Sequence, residues 1–242
     1  MKSQTRLLVS GCSFTDYPYA TWADFLFREG HWDVYENFAS PGADNAFIAR
    51  NIVDHARTGD TVVVLWSGFD RWSRWSEKPS HDFRSQACNW IRGGSVRDLK
   101  SYMVHYYHPV ERFQTTMDYI SMVDLHRQLN GYTVYHFSAF PFFLGEVETQ
   151  VHPEIMNIFS RYNFPNNFVT DLSLYDYMVQ NKQEMKTEHQ YNKNDSHPTP
   201  LTHWEYCSKI IAPRMNLTLN KTTKEQMMEI QNDLINNGIA RK

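Results

Sequence analysis

The run TVVVLWS, residues 61–67, narrows the fold more than any other part of the chain. It is an unbroken series of β-branched and apolar residues, without the polar alternation of a strand that has one face in water, so both faces must be covered. Such strands belong to parallel sheets, whose connections cross over through helices. The preceding chain supplies those connections. TRLLVS (5–10) reads as a short buried strand, and ATWADFLFREG (20–30) spaces Trp22, Phe25 and Leu26 as on a helix that ends at Gly30. DVYENFA (33–39) alternates as a second strand. GADNAFIARNIVDHARTGD (42–60) then puts Phe47, Ile48, Ile52 and Val53 on one helical face. This β-α-β-α-β opening predicts an α/β fold, a three-layer α/β/α sandwich around a mainly parallel sheet of about five strands.

Further along, VERFQTTMDYISMVDLHRQLNG (110–131) reads as a long amphipathic helix and YTVYHFSAF (132–140) as another strand. Residues 151–180 suggest short helices, and 181–200 are polar and loop-like. PLTHWEYCSKIIAPRM returns to helix. A last helix is expected over about 222–238, opened by the capping-box spacing of Thr222 and Glu225 and carrying Met227, Ile230 and Leu234. Residues 68–109, with Trp72, Trp75 and Trp90 among arginines and glycines, fit no regular period and read as an insertion or lid. There are no internal repeats and no low-complexity linker, so residues 1–242 are expected to form a single domain.

Composition limits the functional classes. A formal net charge of −3 gives no general attraction to nucleic acid, and none is expected as a partner. Cys12, Cys88 and Cys207 are too few and too widely spaced for a disulfide framework or a zinc site, which favours a reducing compartment. His105 and His108 in HYYH have a ligand-like spacing without a third ligand in view, so no metal is expected. The only apolar run near Lys2 and Arg6 is Leu7-Leu8-Val9, too short for a signal-peptide core. No stretch approaches the roughly 18 apolar residues of a membrane span. The chain is therefore expected to be cytoplasmic, without a membrane partner.

In open parallel sheets, ligands sit beyond the carboxyl ends of the strands. Three such ends bear residues with chemistry: GCSFT (11–15), ASPGADN (39–45) and WSGFDRW (66–72). Near the C-terminus, NDSHPTP brings Asp195 and His197 just before a helix. A serine nucleophile needs a base, the base needs an orienting group, and the developing oxyanion needs donors. These four segments contain each part. Cys12, beside Ser13, reads as a small buried residue rather than as a thiol nucleophile. Asp70, Arg71, Trp66 and Trp72 are candidates to bind substrate by charge and stacking.

These blocks, in this order, resemble the SGNH (GDSL-like) hydrolase family over residues 5 to about 210. Gly11-Cys12-Ser13-Phe14-Thr15 is similar to the family's first block, which implies Ser13 as nucleophile. Gly42 is similar to the second-block glycine, so the N–H groups of Ser13 and Gly42 are implied as oxyanion donors. Asp195-Ser196-His197-Pro198 is similar to the last block, implying His197 as base and Asp195 as its orienting acid. Two positions depart from the pattern. Phe69 stands where the third block has an oxyanion-binding asparagine, a donor worth about 3–4 kcal/mol; Asn45 or Ser67 are candidates to replace it. Asp195 lies two residues before His197 instead of three. The resemblance implies an ester hydrolase without a cofactor, acting on an acylated small molecule or carbohydrate. The alternative, favoured by Phe69, is a catalytically impaired member that binds a glycan or a protein partner.

Overall fold

The computed structural model describes residues 4–69, 71–80, 88–93, 108–141, 153–162, 172–181, 197–219 and 222–237; for 72–80, 88–93, Met156 and 231–237 it describes backbone alone. Strand β1 (Arg6–Gly11) is buried along its whole length. It pairs in parallel with β2 (Val34–Asn37) on one side and with β3 (Thr61–Trp66) on the other. β3 also pairs in parallel with a later strand, Thr133–Ser138. The two buried runs recognised in sequence, Leu7–Val9 and Val62–Trp66, thus occupy the two central positions, where both faces are covered.

Between β1 and β2 runs α1 (Trp22–Glu29), and between β2 and β3 runs α2 (Asn45–His55). Asp44 caps α2, its carboxylate accepting a hydrogen bond from the Phe47 N–H at 2.9 Å. After β3 come two strands that pair antiparallel with each other, β4 (Trp72–Ser80) and β5 (Cys88–Gly93), with an irregularity between Trp75 and Ser80. They form a sheet separate from the central one. The segment expected as a lid thus contains regular structure that its irregular pattern did not announce. Helix α3 (Pro109–Asn130) follows, burying Phe113, Met117, Ile120 and Val123 at helical spacing, and leads into β6 (Thr133–Ser138).

The sheet order β2-β1-β3-β6 matches the first four positions of the flavodoxin-like order. Right-handed crossovers put α1 on one face and α2 with α3 on the other, and α2 and α3 do pack together. Among the described residues the sheet has four strands rather than about five, and the regular elements described beyond β6 are helices. These are α4 (Pro153–Arg161), α5 (Leu174–Gln180), α6 (Pro200–Tyr206) and α7 (Lys224–Asn237). α6 continues through a π-helical stretch, Cys207–Ile211, and packs on α1. α7 begins with a capping box one residue later than expected: Thr223 accepts from the Gln226 N–H, and Gln226 Oε1 accepts from the Thr223 N–H. No described helix is long and apolar enough to cross a membrane.

Candidate active site

At the carboxyl end of β1 the chain turns at once. The N–H groups of Thr15 and Asp16 both donate to the Cys12 carbonyl, at 2.9 and 3.2 Å. The turn is tight because Gly11 has no side chain: a Cβ there would lie 2.1 Å from Thr15 Oγ1 and 3.1 Å from the Leu65 carbonyl. The Thr15 carbonyl is held by Thr21 Oγ1 at 2.9 Å and Asn37 Nδ2 at 3.2 Å. Cys12 is wholly buried in the core. Ser13, its neighbour, is largely buried and presents Oγ 2.8 Å from His197 Nε2.

His197 reaches this position from the far end of the chain. It precedes Pro198 and Thr199, and the Thr199 hydroxyl caps α6 by accepting from the Thr202 N–H. Tyr19, six residues after Ser13, donates its hydroxyl to the Pro198 carbonyl at 2.8 Å, tying the histidine's loop to the serine's. The imidazole lies between rings: Tyr17 stacks on it at 4.2 Å and 22°, and Phe14 meets it edge-on at 5.5 Å. The sequence reading missed Tyr17 and Tyr19; their closeness to Ser13 in DYPYA was the available signal. On α6, His203 is fully buried, and burial, with the His197 charge adding to it, pushes its pKa down to about 3. It is neutral at ordinary pH.

The second block is a turn. The Ala43 N–H donates to the Ser40 carbonyl at 3.0 Å, with Pro41 and Gly42 between and Gly42 at φ +77°, the residue pattern of a type II turn. The Ser40 N–H donates to the Gly11 carbonyl, so this turn is fastened beside the one that carries Ser13.

Asn45 proves to be a brace. Its Oδ1 accepts from the Ser67 N–H at 2.8 Å, and its two amide hydrogens go to the Ser67 carbonyl and Thr116 Oγ1, each at 3.1 Å. No amide hydrogen is left for an oxyanion. Ser67 Oγ, by contrast, is buried without a hydrogen-bond partner. Trp66, expected against substrate, is wholly buried and donates its indole N–H to His136 Nδ1 at 3.1 Å, because β6 brings His136 to the core side of the sheet. It belongs to the core. Burial pushes the His136 pKa down to about 4.

Phe69 packs edge-on against Phe113 at 5.9 Å. Arg71 is partly buried, its guanidinium 5.5 Å from the centre of the Phe140 ring. Asp70 and Asp195 lie outside the described residues, as does His105, and Trp72 is described through its backbone alone at the head of β4. Among the described residues no three His, Cys, Asp or Glu side chains group closely enough to hold a metal ion.

No family model matches the chain. No curated protein matches it either. In fold it is similar to the protein YxiM of Bacillus subtilis, at 13% identity and a TM-score of 0.48 over 90% of this chain. The chain spans 58% of that protein's length. It is also similar to a member of the lipolytic G-D-S-L family from Veillonella parvula, at 11% identity and a TM-score of 0.47, over 86% of this chain and 98% of that one. The likeness is one of fold.

Proposed function

We propose that this chain is a divergent SGNH-type serine ester hydrolase. The observation that carries the reading is the 2.8 Å approach of Ser13 Oγ to His197 Nε2, on a turn at the carboxyl end of a central parallel strand. At that distance the imidazole takes the hydroxyl proton as Oγ attacks an ester carbonyl. The same Nε2 then returns the proton to the leaving alcohol. Water repeats the sequence on the acyl-serine and frees the acid. Asp195, two residues before the base, is the group proposed to orient it. The N–H groups of Ser13 and Gly42 are proposed to bind the oxyanion, with the buried Ser67 hydroxyl in place of Asn45 as the third donor. The substrate class is an acylated small molecule or carbohydrate, and the chemistry uses no cofactor.

A second reading has one observation in its favour. Phe69 offers no hydrogen bond where the family's asparagine does, and it packs on Phe113. On that reading the cleft binds a glycan or a protein partner without turning it over.

Intact-mass analysis after exposure to a fluorophosphonate separates the two. The hydrolase reading expects one adduct on the wild type and on Cys12→Ala, and none on Ser13→Ala or His197→Ala. A folded wild-type chain that stays unlabelled at long exposure would sink it and leave the binding reading.

A further inference from the structure

On the same carboxyl edge of the sheet as the proposed catalytic pair is a cavity of about 240 Å³. Its wall includes Asp44 and Asn45 at the start of α2, Phe69 and Arg71 beyond β3, and Arg112 and Tyr119 on α3. The Arg71 guanidinium is pinned from two directions. Its backbone N–H closes a turn onto the Gly68 carbonyl, and its charged head lies over the Phe140 ring. Nη1 is nevertheless buried without any hydrogen-bond partner. A buried guanidinium donor with no acceptor is an unfavourable arrangement that a bound oxygen ligand relieves.

The charges around the cavity favour an anion. Among the described lining residues Arg71 and Arg112 are cationic and Asp44 is anionic, its Oδ1 accepting from the Phe47 N–H as the cap of α2. Phe140 lies under the Arg71 guanidinium and Phe69 lines the same cavity, and apolar surroundings of this kind strengthen an ion pair. Arginine's planar fork suits carboxylate and phosphate oxygens held two at a time. The volume falls short of the roughly 300–1,000 Å³ of sites that enclose a whole drug-sized ligand, so the cavity takes one end of a larger molecule. Two rings join it to the catalytic pair. Phe140 touches Phe14 at 4.9 Å, and Phe14 meets His197 at 5.5 Å.

We propose that this cavity is an anion subsite, in which Arg71 with Arg112 holds a carboxylate or phosphate group carried by the substrate. That the ester bond of the same molecule lies at Ser13 rests on the hydrolase reading above; the anion site itself does not.

Calorimetric titration of the full chain with succinate, and separately with inorganic phosphate, tests it. Saturable binding of at least one anion is expected, and the one that binds tells whether the group is a carboxylate or a phosphate. Arg71→Gln is expected to weaken that binding tenfold or more while unfolding at the wild-type temperature. Arg112→Gln, expected to weaken it several-fold, decides the matter if Arg71→Gln does not fold. Absence of saturation with both anions, or wild-type affinity in the folded variant, overturns the proposal. Fluorophosphonate labelling of the same preparations keeps the two readings apart. Anion binding without labelling defeats the hydrolase and leaves the subsite; labelling without anion binding defeats the subsite alone.

Discussion

At the amino end of the sheet, Arg6 and Asp60 are both buried and both satisfied. Arg6 Nε donates to Asp60 Oδ1 at 3.0 Å, a terminal nitrogen donates to the His55 carbonyl at 2.7 Å, and the same guanidinium pairs with Glu36. The Arg57 N–H donates to Asp60 Oδ2 at 2.7 Å. At the carboxyl end, Thr15 Oγ1, Ser67 Oγ, Arg71 Nη1 and both ring nitrogens of His203 are buried with no partner. Buried polar atoms are normally hydrogen-bonded, because the loss of water must be replaced. Among these described groups, the Arg6–Asp60 cluster completes its own polar network and the carboxyl-end set leaves donors and acceptors over. The first arrangement serves the fold, and the second is consistent with the ligand sites proposed above.

The largest expected effect belongs to the unfinished end. If the hydrolase reading holds, Ser13→Ala lowers kcat by about 10⁴-fold or more, since nothing else can take the acyl group. Its thermal unfolding should stay within a few degrees of wild type. An ester-hydrolysis assay beside a melting curve checks both, and retained turnover in Ser13→Ala would remove Ser13 from the mechanism.

Asp60→Ala is the converse. It takes the buried one of two carboxylates from the Arg6 guanidinium, leaving Glu36, and frees the Arg57 N–H, at a cost of up to about 3 kcal/mol in urea unfolding. Fluorophosphonate labelling of the fraction still folded should proceed at the wild-type rate. A loss of labelling without a loss of stability would mean that the two ends are not independent.

How much of this was legible in sequence depended on distance along the chain. Leu7–Val9 and Val62–Leu65 announced central strands because the whole signal lies within each run. Ser13, Gly42 and His197 stand out as candidates because each sits in its own short block. Trp66 and Asn45 were misassigned for a common reason. A tryptophan at a strand end reads as a ligand wall until His136, brought alongside by β6, is seen to take its N–H. An asparagine near a candidate nucleophile reads as a donor until Ser67 and Thr116 are seen to use it. The cap of α7 slipped by one residue because Thr222 with Glu225 and Thr223 with Gln226 have the same spacing, and only the helix start at Lys224 chooses between them.

Acid probes the buried histidines. The folded pKa of His203, about 3, lies below the roughly 6.5 of an unfolded chain, so the unfolded state takes up the proton first. Its contribution to stability is therefore whole above pH 6.5 and is lost as the pH falls from there toward 3. At pH 5 the loss is roughly 2 kcal/mol. His136, at about 4, adds a similar loss over a slightly narrower range. In His203→Leu the decline between pH 6.5 and 4.5 should be shallower than in wild type. An unchanged slope in denaturant titrations across that range would mean that His203 is already solvated in the native state.

The smallest effect tests how the unfinished end is held in register. Tyr19→Phe removes one hydrogen bond, from the tyrosine hydroxyl to the Pro198 carbonyl, and leaves the ring in place. Stability should fall by only about 1 kcal/mol, the usual net value of such a bond. The carbonyl belongs to the residue after His197, however, so the bond ties the backbone of the histidine's loop to the loop that follows Ser13. A serine-to-base distance of 2.8 Å tolerates little displacement, because misplacement by about 1 Å can cost 10²-fold in rate. The expected signature is thus a labelling rate reduced well beyond what the lost stability predicts. The Arg6–Asp60 end offers the control: Glu36→Gln, which weakens a partly exposed pair there, should shift stability by a similar small amount and leave labelling untouched. Equal effects of the two substitutions on labelling would show that Tyr19 acts through the fold as a whole and not through the position of His197.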